Sequence, residues 1–379
     1  MNTTKYLIIG AGMTGDMAAK GIREHDSDGS ITMVGADHHP PYKRPLLTKG
    51  LWQGAPEEKL WREPAEDVEL VTGRRVVSLD LDARTATDDA GEEYRWEKLL
   101  LATGALPREV PGADGVVWFR TLDDYRRVRE AAGEGAHVAV IGGGFIGSEL
   151  AAGLVGNGCR VTMLFPEPGI GHRLFPRDLS ASVTDYYREK GVDVRAGEMV
   201  SAASAKRVET QSGLTLDVDA VVAGLGVVAD TALAEAAGLE VNDGIVVDEY
   251  GRVPGHDDVF AAGDVARFPV TALGMSLRIE HEDHANSHGR AVGANMAGAD
   301  TPYDHLPFFY SDLFDLGYEA VGLVDSRLEA VEDWQEPYRK GVVTYVEDGK
   351  PRGVLLWNVW EKLDEARDLI RAGEGALAV

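Results

Sequence analysis

Two apolar runs end in the same glycine pattern. Tyr6-Leu7-Ile8-Ile9 leads into Gly10-Ala11-Gly12-Met13-Thr14-Gly15, and Val138-Ala139-Val140-Ile141 leads into Gly142-Gly143-Gly144-Phe145-Ile146-Gly147. Each reads as a buried strand, a tight turn and the start of a helix. The parts that follow also repeat. After the first pattern come a helix, a strand at 30–34, a strand-rich stretch at 68–81, a turn at Asp88-Asp89-Ala90-Gly91 and a closing apolar run at 99–104. After the second come a helix, a strand at 161–165, a helix near 178–190, strands at 192–200, 206–211 and 215–218, and a closing run at 220–226. The shared order of parts points to two related units. Alternating strands and helices predict parallel sheets with helices on both faces.

The remaining segments break this rhythm. Residues 107–114 are rich in Pro and Gly and read as a linker. Val259-Phe260-Ala261-Ala262-Gly263-Asp264 reads as a strand that delivers an acid at its C-terminal end. In the tail, 340–346 and 353–357 flank Glu347-Asp348-Gly349-Lys350, a hairpin pattern. Residues 360–371 carry Leu363, Ala366, Leu369 and Ile370 at helical spacing, with Gly373 placed to cap them. The predicted fold is therefore α/β, with two Rossmann-like dinucleotide-binding domains and a small α+β C-terminal domain. The expected boundaries are 1–113 with 249–305, then 114–248, then 306–379.

Composition narrows the function classes. A chain of 379 residues, 44% hydrophobic, is long enough for two or three ordinary cores. No apolar run is long enough to span a bilayer, and the first strand begins almost at Met1, so the expectation is a cytoplasmic protein without membrane contact. The single cysteine, Cys159, cannot form a thiol pair, which excludes disulphide-reductase chemistry and leaves it a packing role. A net charge of −25 argues against nucleic acid, because phosphate binding needs clustered Lys and Arg.

In each glycine pattern the first Gly permits the turn, the second admits a pyrophosphate, and the third lets the helix pack on its strand. Two such patterns imply two dinucleotides, the arrangement needed to pass electrons between a nicotinamide and a flavin.

Four further segments carry a family resemblance. They are Pro41-Tyr42-Lys43-Arg44-Pro45-Leu46-Leu47-Thr48-Lys49, Gly142-Gly143-Gly144-Phe145-Ile146-Gly147-Ser148-Glu149-Leu150, Leu164-Phe165-Pro166-Glu167, and Gly317-Tyr318-Glu319-Ala320-Val321-Gly322-Leu323-Val324-Asp325. Together they resemble the ferredoxin reductase-like FAD/NAD(P)H flavoproteins, and most closely the apoptosis-inducing factor family, over essentially the whole chain. The resemblance implies a glutathione reductase-like architecture. FAD would sit in the first unit, NADH in the second, and the C-terminal domain would cover the flavin.

The resemblance also assigns residues. Lys49 and Glu149 match a pair beside the reactive edge of the flavin, and Phe145 matches a ring that moves when NADH enters. His281 would lie against the isoalloxazine. The FAD contacts implied are Gly10, Gly12, Met13, Thr14, Gly15, Asp37, Arg44, Lys49, Thr103, Gly104, Gly263, Asp264, Glu280, His281 and Tyr310. Those implied for NAD are Gly142, Gly144, Phe145, Ile146, Gly147, Glu149, Glu167, Gly226 and Glu319. Glu167 follows the second strand of its unit, where an acid bonds ribose hydroxyls and repels a 2′-phosphate, so NADH is expected over NADPH. Arg173 lies close enough to weaken that preference. In the first unit Ala36 stands where the family usually has Glu, leaving Asp37 as the substitute. His281, His284 and His288 would share one helix face, a spacing that metal sites use. The family instead implies a helix whose start faces the flavin, and no metal is expected. Trp357 and Trp360 are expected to pack the small domain.

Two functions are compatible with this reading. One is an FAD-dependent NADH oxidoreductase serving a small carrier such as a ferredoxin or rubredoxin. The other is an NADH-sensing flavoprotein with slow turnover, a long-lived charge-transfer complex and a homodimeric state.

Overall fold

The computed structural model describes residues 2–110 and 112–379, so Pro111 of the 107–114 linker lies outside the described residues. The chain divides into two compact units. One comprises Met1–Lys43, Glu58–Leu106 and Val228–Pro307, and the other Arg44–Glu57, Pro107–Val227 and Phe308–Val379. Among the described residues the α-helices are α1 (Met13–His25), α2 (Leu122–Ala131), α3 (Phe145–Gly156), α4 (Arg177–Glu189), α5 (Ala232–Ala236), α6 (Glu282–Met296) and α7 (Leu363–Ala372).

The first unit is built on a parallel sheet. Strand Asn2–Ile9 pairs with Ile31–Gly35 on one side and Glu93–Leu101 on the other, and Val68–Thr72 and His256–Ala261 extend it outward. The register sets Ile9 beside Val34 and Leu101, and Leu101 beside Ala261. Gly10, Asp37, Thr103, Gly263 and Asp264 therefore all emerge at the carboxyl edge of one sheet, the edge at which such sheets bind ligands. Ile8, Ile22, Met33, Leu100, Phe260, Val292 and Met296 fill the core beneath.

Helices α1 and α6 meet almost backbone to backbone in this unit. A β-carbon on Gly293 would lie 2.1 Å from the Ala18 carbonyl oxygen, and one on Gly289 would lie 2.5 Å from that of Thr14. These two glycines fall one helical turn apart and give α1 its seat. Gly293→Ala is expected to force the helices apart, at a cost of about 1–3 kcal/mol. Chemical denaturation would show it, and an unchanged midpoint would mean that the helices yield without strain.

The second unit repeats the plan. Strand Arg160–Phe165 lies between His137–Ile141 and Asp193–Ala196, with Ala220–Ala223 and then Val117–Trp118 on the far side of His137–Ile141, all parallel. Gly142, Glu167 and Gly226 leave its carboxyl edge. The strand expected at 192–200 is broken. Gly197 turns at a positive φ of 82°, donating to the Glu167 carbonyl, and the chain restarts at Val200–Ser204 in a separate antiparallel sheet.

The tail forms a five-stranded antiparallel sheet in the order Phe308–Leu313, Leu316–Gly322, Lys350–Trp357, Lys340–Glu347, Glu329–Glu336, against which α7 packs. The hairpin falls where the alternation placed it. Asp348 and Gly349 both adopt positive φ, 51° and 74°, between the paired Glu347 and Lys350. Gly373 caps α7 in the left-handed conformation, although the helix begins at Leu363 rather than near Trp360. Trp357 is fully buried, whereas Trp360 is 51% exposed, so only the first of these indoles is core.

Candidate active site

Both glycine patterns have the geometry that a dinucleotide needs. A β-carbon on Gly10 would lie 2.0 Å from the Ala102 carbonyl oxygen, and one on Gly142 2.4 Å from that of Gly224. Those on the third glycines, Gly15 and Gly147, would lie 2.1 Å and 2.0 Å from the carbonyl oxygens of Gly10 and Gly142. The second glycines differ: within 4 Å of a β-carbon on Gly12 or Gly144 there is nothing. Each of these is the N-cap of its helix, extended and without a side-chain cap. Both helix starts therefore open onto space that a side chain would fill, with first-turn N–H groups directed outward. These two cradles fit a pyrophosphate each.

The charged centre of the second unit lies less than two turns into α3. Glu149 is buried, and its Oε1 accepts from Lys49 Nζ at 2.6 Å and from Ser311 Oγ at 2.6 Å, while Oε2 accepts from Thr48 Oγ1 at 2.5 Å. The Lys49 and Glu149 side chains are 12% and 6% exposed. Lys49 Nζ also stands 4.8 Å from the centre of the Tyr310 ring. Burial, followed by the charge on Glu149, pushes the nearby Tyr187 and Tyr318 hydroxyls well above their ordinary range. Both phenols thus stay neutral beside the ion pair. Phe145, the first residue of α3, is half-buried and meets Phe309 edge-on, 5.5 Å between ring centres.

Of the other expected residues of this unit, Glu319 stands directly across from Tyr310 in the strand register. Glu167, just beyond strand Arg160–Phe165, is paired with the exposed Arg173 at 2.9 Å. Arg44 donates to the Arg120 carbonyl at 2.8 Å. On strand Leu316–Gly322, Glu319 has its Oε2 buried without a hydrogen-bond partner, and burial raises its carboxyl pKa. Gly226 turns at a φ of 82° with open space before it. Arg44, Lys49 and Tyr310, all expected to face FAD, belong to this second unit and not to the unit of the first glycine pattern.

In the first unit, Asp37 accepts from the Tyr42 hydroxyl at 3.0 Å and from the His39 N–H at 3.1 Å, so its carboxylate is held in a local turn. Thr103 donates to the Asp230 carbonyl at 2.7 Å. Thr14 and Gly263 are close neighbours: a β-carbon on Gly263 would lie 2.2 Å from Thr14 Oγ1. Glu280 pairs with Arg278 at 2.5 Å, and that guanidinium also donates to the Asp264 carbonyl. His281 is the N-cap of α6, and burial lowers its pKa to about 4.

His284 and His288 lie deeper in that unit. Their rings pack on Phe268 with centroids 4.6 Å and 4.9 Å away, and His288 Nδ1 accepts the Gly263 N–H at 3.3 Å. That nitrogen must be unprotonated to accept. Among the described residues no group of three His, Cys, Asp or Glu is placed to hold a metal ion. Cys159 is buried, and burial pushes its thiol pKa up.

With this geometry in view, comparison with known proteins assigns the family. A model of the pyridine nucleotide-disulphide oxidoreductases matches residues 4–289. The chain belongs to that family. A second model, of the C-terminal region of mitochondrion-associated apoptosis-inducing factor, matches residues 292–335 and 331–372. The chain is 33% identical to the ferredoxin–NAD(+) reductase component of the anthranilate 1,2-dioxygenase system of Burkholderia cepacia, over 98% of this chain and 95% of that protein. It is 32% identical to apoptosis-inducing factor 1 of Dictyostelium discoideum, over 97% and 78%. The solved covalent putidaredoxin reductase–putidaredoxin complex matches with a TM-score of 0.91 at 29% identity, over 98% of this chain and 94% of that one. Within the family, this chain's lone cysteine rules out the thiol pair of a disulphide reductase.

Proposed function

We propose that the protein is an FAD-dependent NADH oxidoreductase that hands electrons to a small ferredoxin-type carrier in the cytoplasm. One observation carries the reading: a single helix, α3, opens a dinucleotide cradle at Gly144 and holds Lys49 through Glu149 less than two turns later. Bound NADH and FAD would supply the two-electron chemistry, with hydride passing from nicotinamide to flavin. The glycine cradles would hold FAD in the first unit and NADH in the second. Lys49 contributes a fixed positive charge where negative charge develops, and Glu149 holds that ammonium in place. Phe145 shields the site until another flat ring takes its place. The relatives named for ferredoxin and putidaredoxin support the carrier. Among the described residues, no helix is long and apolar enough to cross a membrane.

The match to the apoptosis-inducing factor C-terminal model favours the second reading, a slow NADH-responsive flavoprotein. Anaerobic stopped-flow reduction with NADH and with NADPH separates the two. Fast bleaching by NADH without a persistent long-wavelength band is the expected result. Slow bleaching with a stable band would favour the sensor. In the same experiment Glu167→Ala is expected to narrow the NADH preference roughly tenfold, equivalent to about 1.4 kcal/mol of discrimination. An unaltered ratio would place ribose reading on another residue.

A further inference from the structure

We propose that the face of α3 formed by Glu149, Gly153 and the capping Asn157 is a rail that sets the position of Lys49, making Trp52, Gly153 and Asn157 positioning residues for its charge. The proposal rests on the role given to Lys49 above.

These three residues are spaced four apart, so they lie along one side of the helix. Each grips a different part of segment 44–57. Glu149 takes the side chains of Lys49 and Thr48. Gly153 leaves room for the Trp52 indole: a β-carbon there would lie 2.8 Å from Cγ and 2.9 Å from Cβ of Trp52. Asn157 donates through Nδ2 to the Trp52 carbonyl at 2.8 Å and to the Gly153 carbonyl at 2.8 Å. Its Oδ1 accepts from Arg129 Nη1 at 2.6 Å, which fixes the orientation of the amide. The Arg129 guanidinium also stands 5.3 Å from the centre of the indole.

Trp52 is coupled to Lys49 through the backbone. It is 4% exposed, its Nε1 donates to the Leu47 carbonyl at 2.8 Å, and its own N–H donates to the Lys49 carbonyl at 2.9 Å. Leu51 bonds back to Leu46, and Ala55 to Gly50. The segment is thus a stack of closed turns, tied together by its own backbone hydrogen bonds. A lysine side chain has four rotatable bonds, so holding Nζ alone would leave its stem free. Here the ammonium is held by Glu149 and the backbone by the indole seated on Gly153. A shift of a few tenths of an ångström at the indole is passed directly to Lys49.

The test uses the FAD-loaded protein and two variants. Gly153→Ala adds one methyl under the indole. Asn157→Asp keeps an acceptor for Arg129 but removes the donor to the Trp52 carbonyl, and it is the milder change if the first variant folds poorly. Two readouts are taken: acylation of Lys49 by an amine-reactive ester, followed by peptide mass spectrometry, and flavin reduction by NADH. Lys49 is expected to label at least fivefold faster in both variants, with the other lysines unchanged. Reduction is expected to slow about tenfold, with FAD content and the KM for NADH retained. Wild-type labelling of Lys49 in folded variants would overturn the proposal, whatever the reduction rate. Faster labelling with unchanged reduction would leave the rail standing and overturn the role of Lys49.

Discussion

Lys49→Ala is expected to slow reduction of the bound flavin by NADH about 10²-fold while leaving FAD bound. The magnitude is that of removing one preorganised group that stabilises developing negative charge in a site shielded from water. Lys49 meets that description: its ammonium is 2.6 Å from Glu149 Oε1, with side chains 12% and 6% exposed. A charge already held in place costs no reorganisation when negative charge develops beside it. The variant leaves Glu149 with its donors Thr48 and Ser311 but without a counter-charge. Breaking a buried pair costs about 3–5 kcal/mol, and this pair keeps some water contact, so the lower end is expected. Lys49→Met, which preserves most of the stem, should show the same kinetic loss. Glu149→Gln should be slower than wild type as well, because a neutral amide oxygen holds the Lys49 ammonium less firmly than the carboxylate does. Anaerobic stopped-flow measures all three, and a wild-type rate in Lys49→Ala would remove the residue from the chemistry.

The parts of the molecule legible in its sequence are those set by local backbone demands. Gly10, Gly12 and Gly15 each answer a different constraint within six residues, and the same holds from Gly142 to Gly147, so the cradles could be read without a fold. The Asp348-Gly349 turn and the Gly373 cap are local in the same sense. The Lys49–Glu149 pair spans 100 residues of chain, and no periodicity connects its members; family resemblance was the signal. Ser311 carried no signal of its own. It is a small polar residue on an edge strand, and its full burial depends on which face of that strand meets α3. Gly153 and Asn157 were equally silent, because a glycine inside a helix and a polar residue at its end have ordinary local explanations. Trp360 shows the reverse error: an indole beside an apolar run is a reasonable core residue, yet the helix starts after it and leaves it half in water.

The histidine spacing on α6 was legible, but its meaning depended on the packing. His288 is 1% exposed, it accepts the Gly263 N–H through Nδ1, and burial lowers its pKa to about 3. Buried His284 beside it is also held well below its ordinary value, first by burial and then by the neighbouring histidines. An unfolded chain protonates each near pH 6.5, whereas the folded chain refuses the proton until far lower. Between these limits the unfolded state binds more protons, so stability falls as pH falls, by about 1.4 kcal/mol per pH unit for each histidine. From pH 6.5 to 5, above the range where ordinary carboxylates titrate, His288 alone accounts for about 2 kcal/mol. His288→Asn keeps an oxygen close to the place of Nδ1 to accept the Gly263 N–H and has no proton to refuse. Its stability is therefore expected to lose about 1.4 kcal/mol per unit of pH dependence between pH 6.5 and 5, with a smaller change at neutral pH. Urea unfolding across that range, followed by far-ultraviolet circular dichroism, would measure it. A slope equal to that of the wild type would mean that folded His288 takes its second proton as readily as the unfolded chain does, giving up the bond from Gly263.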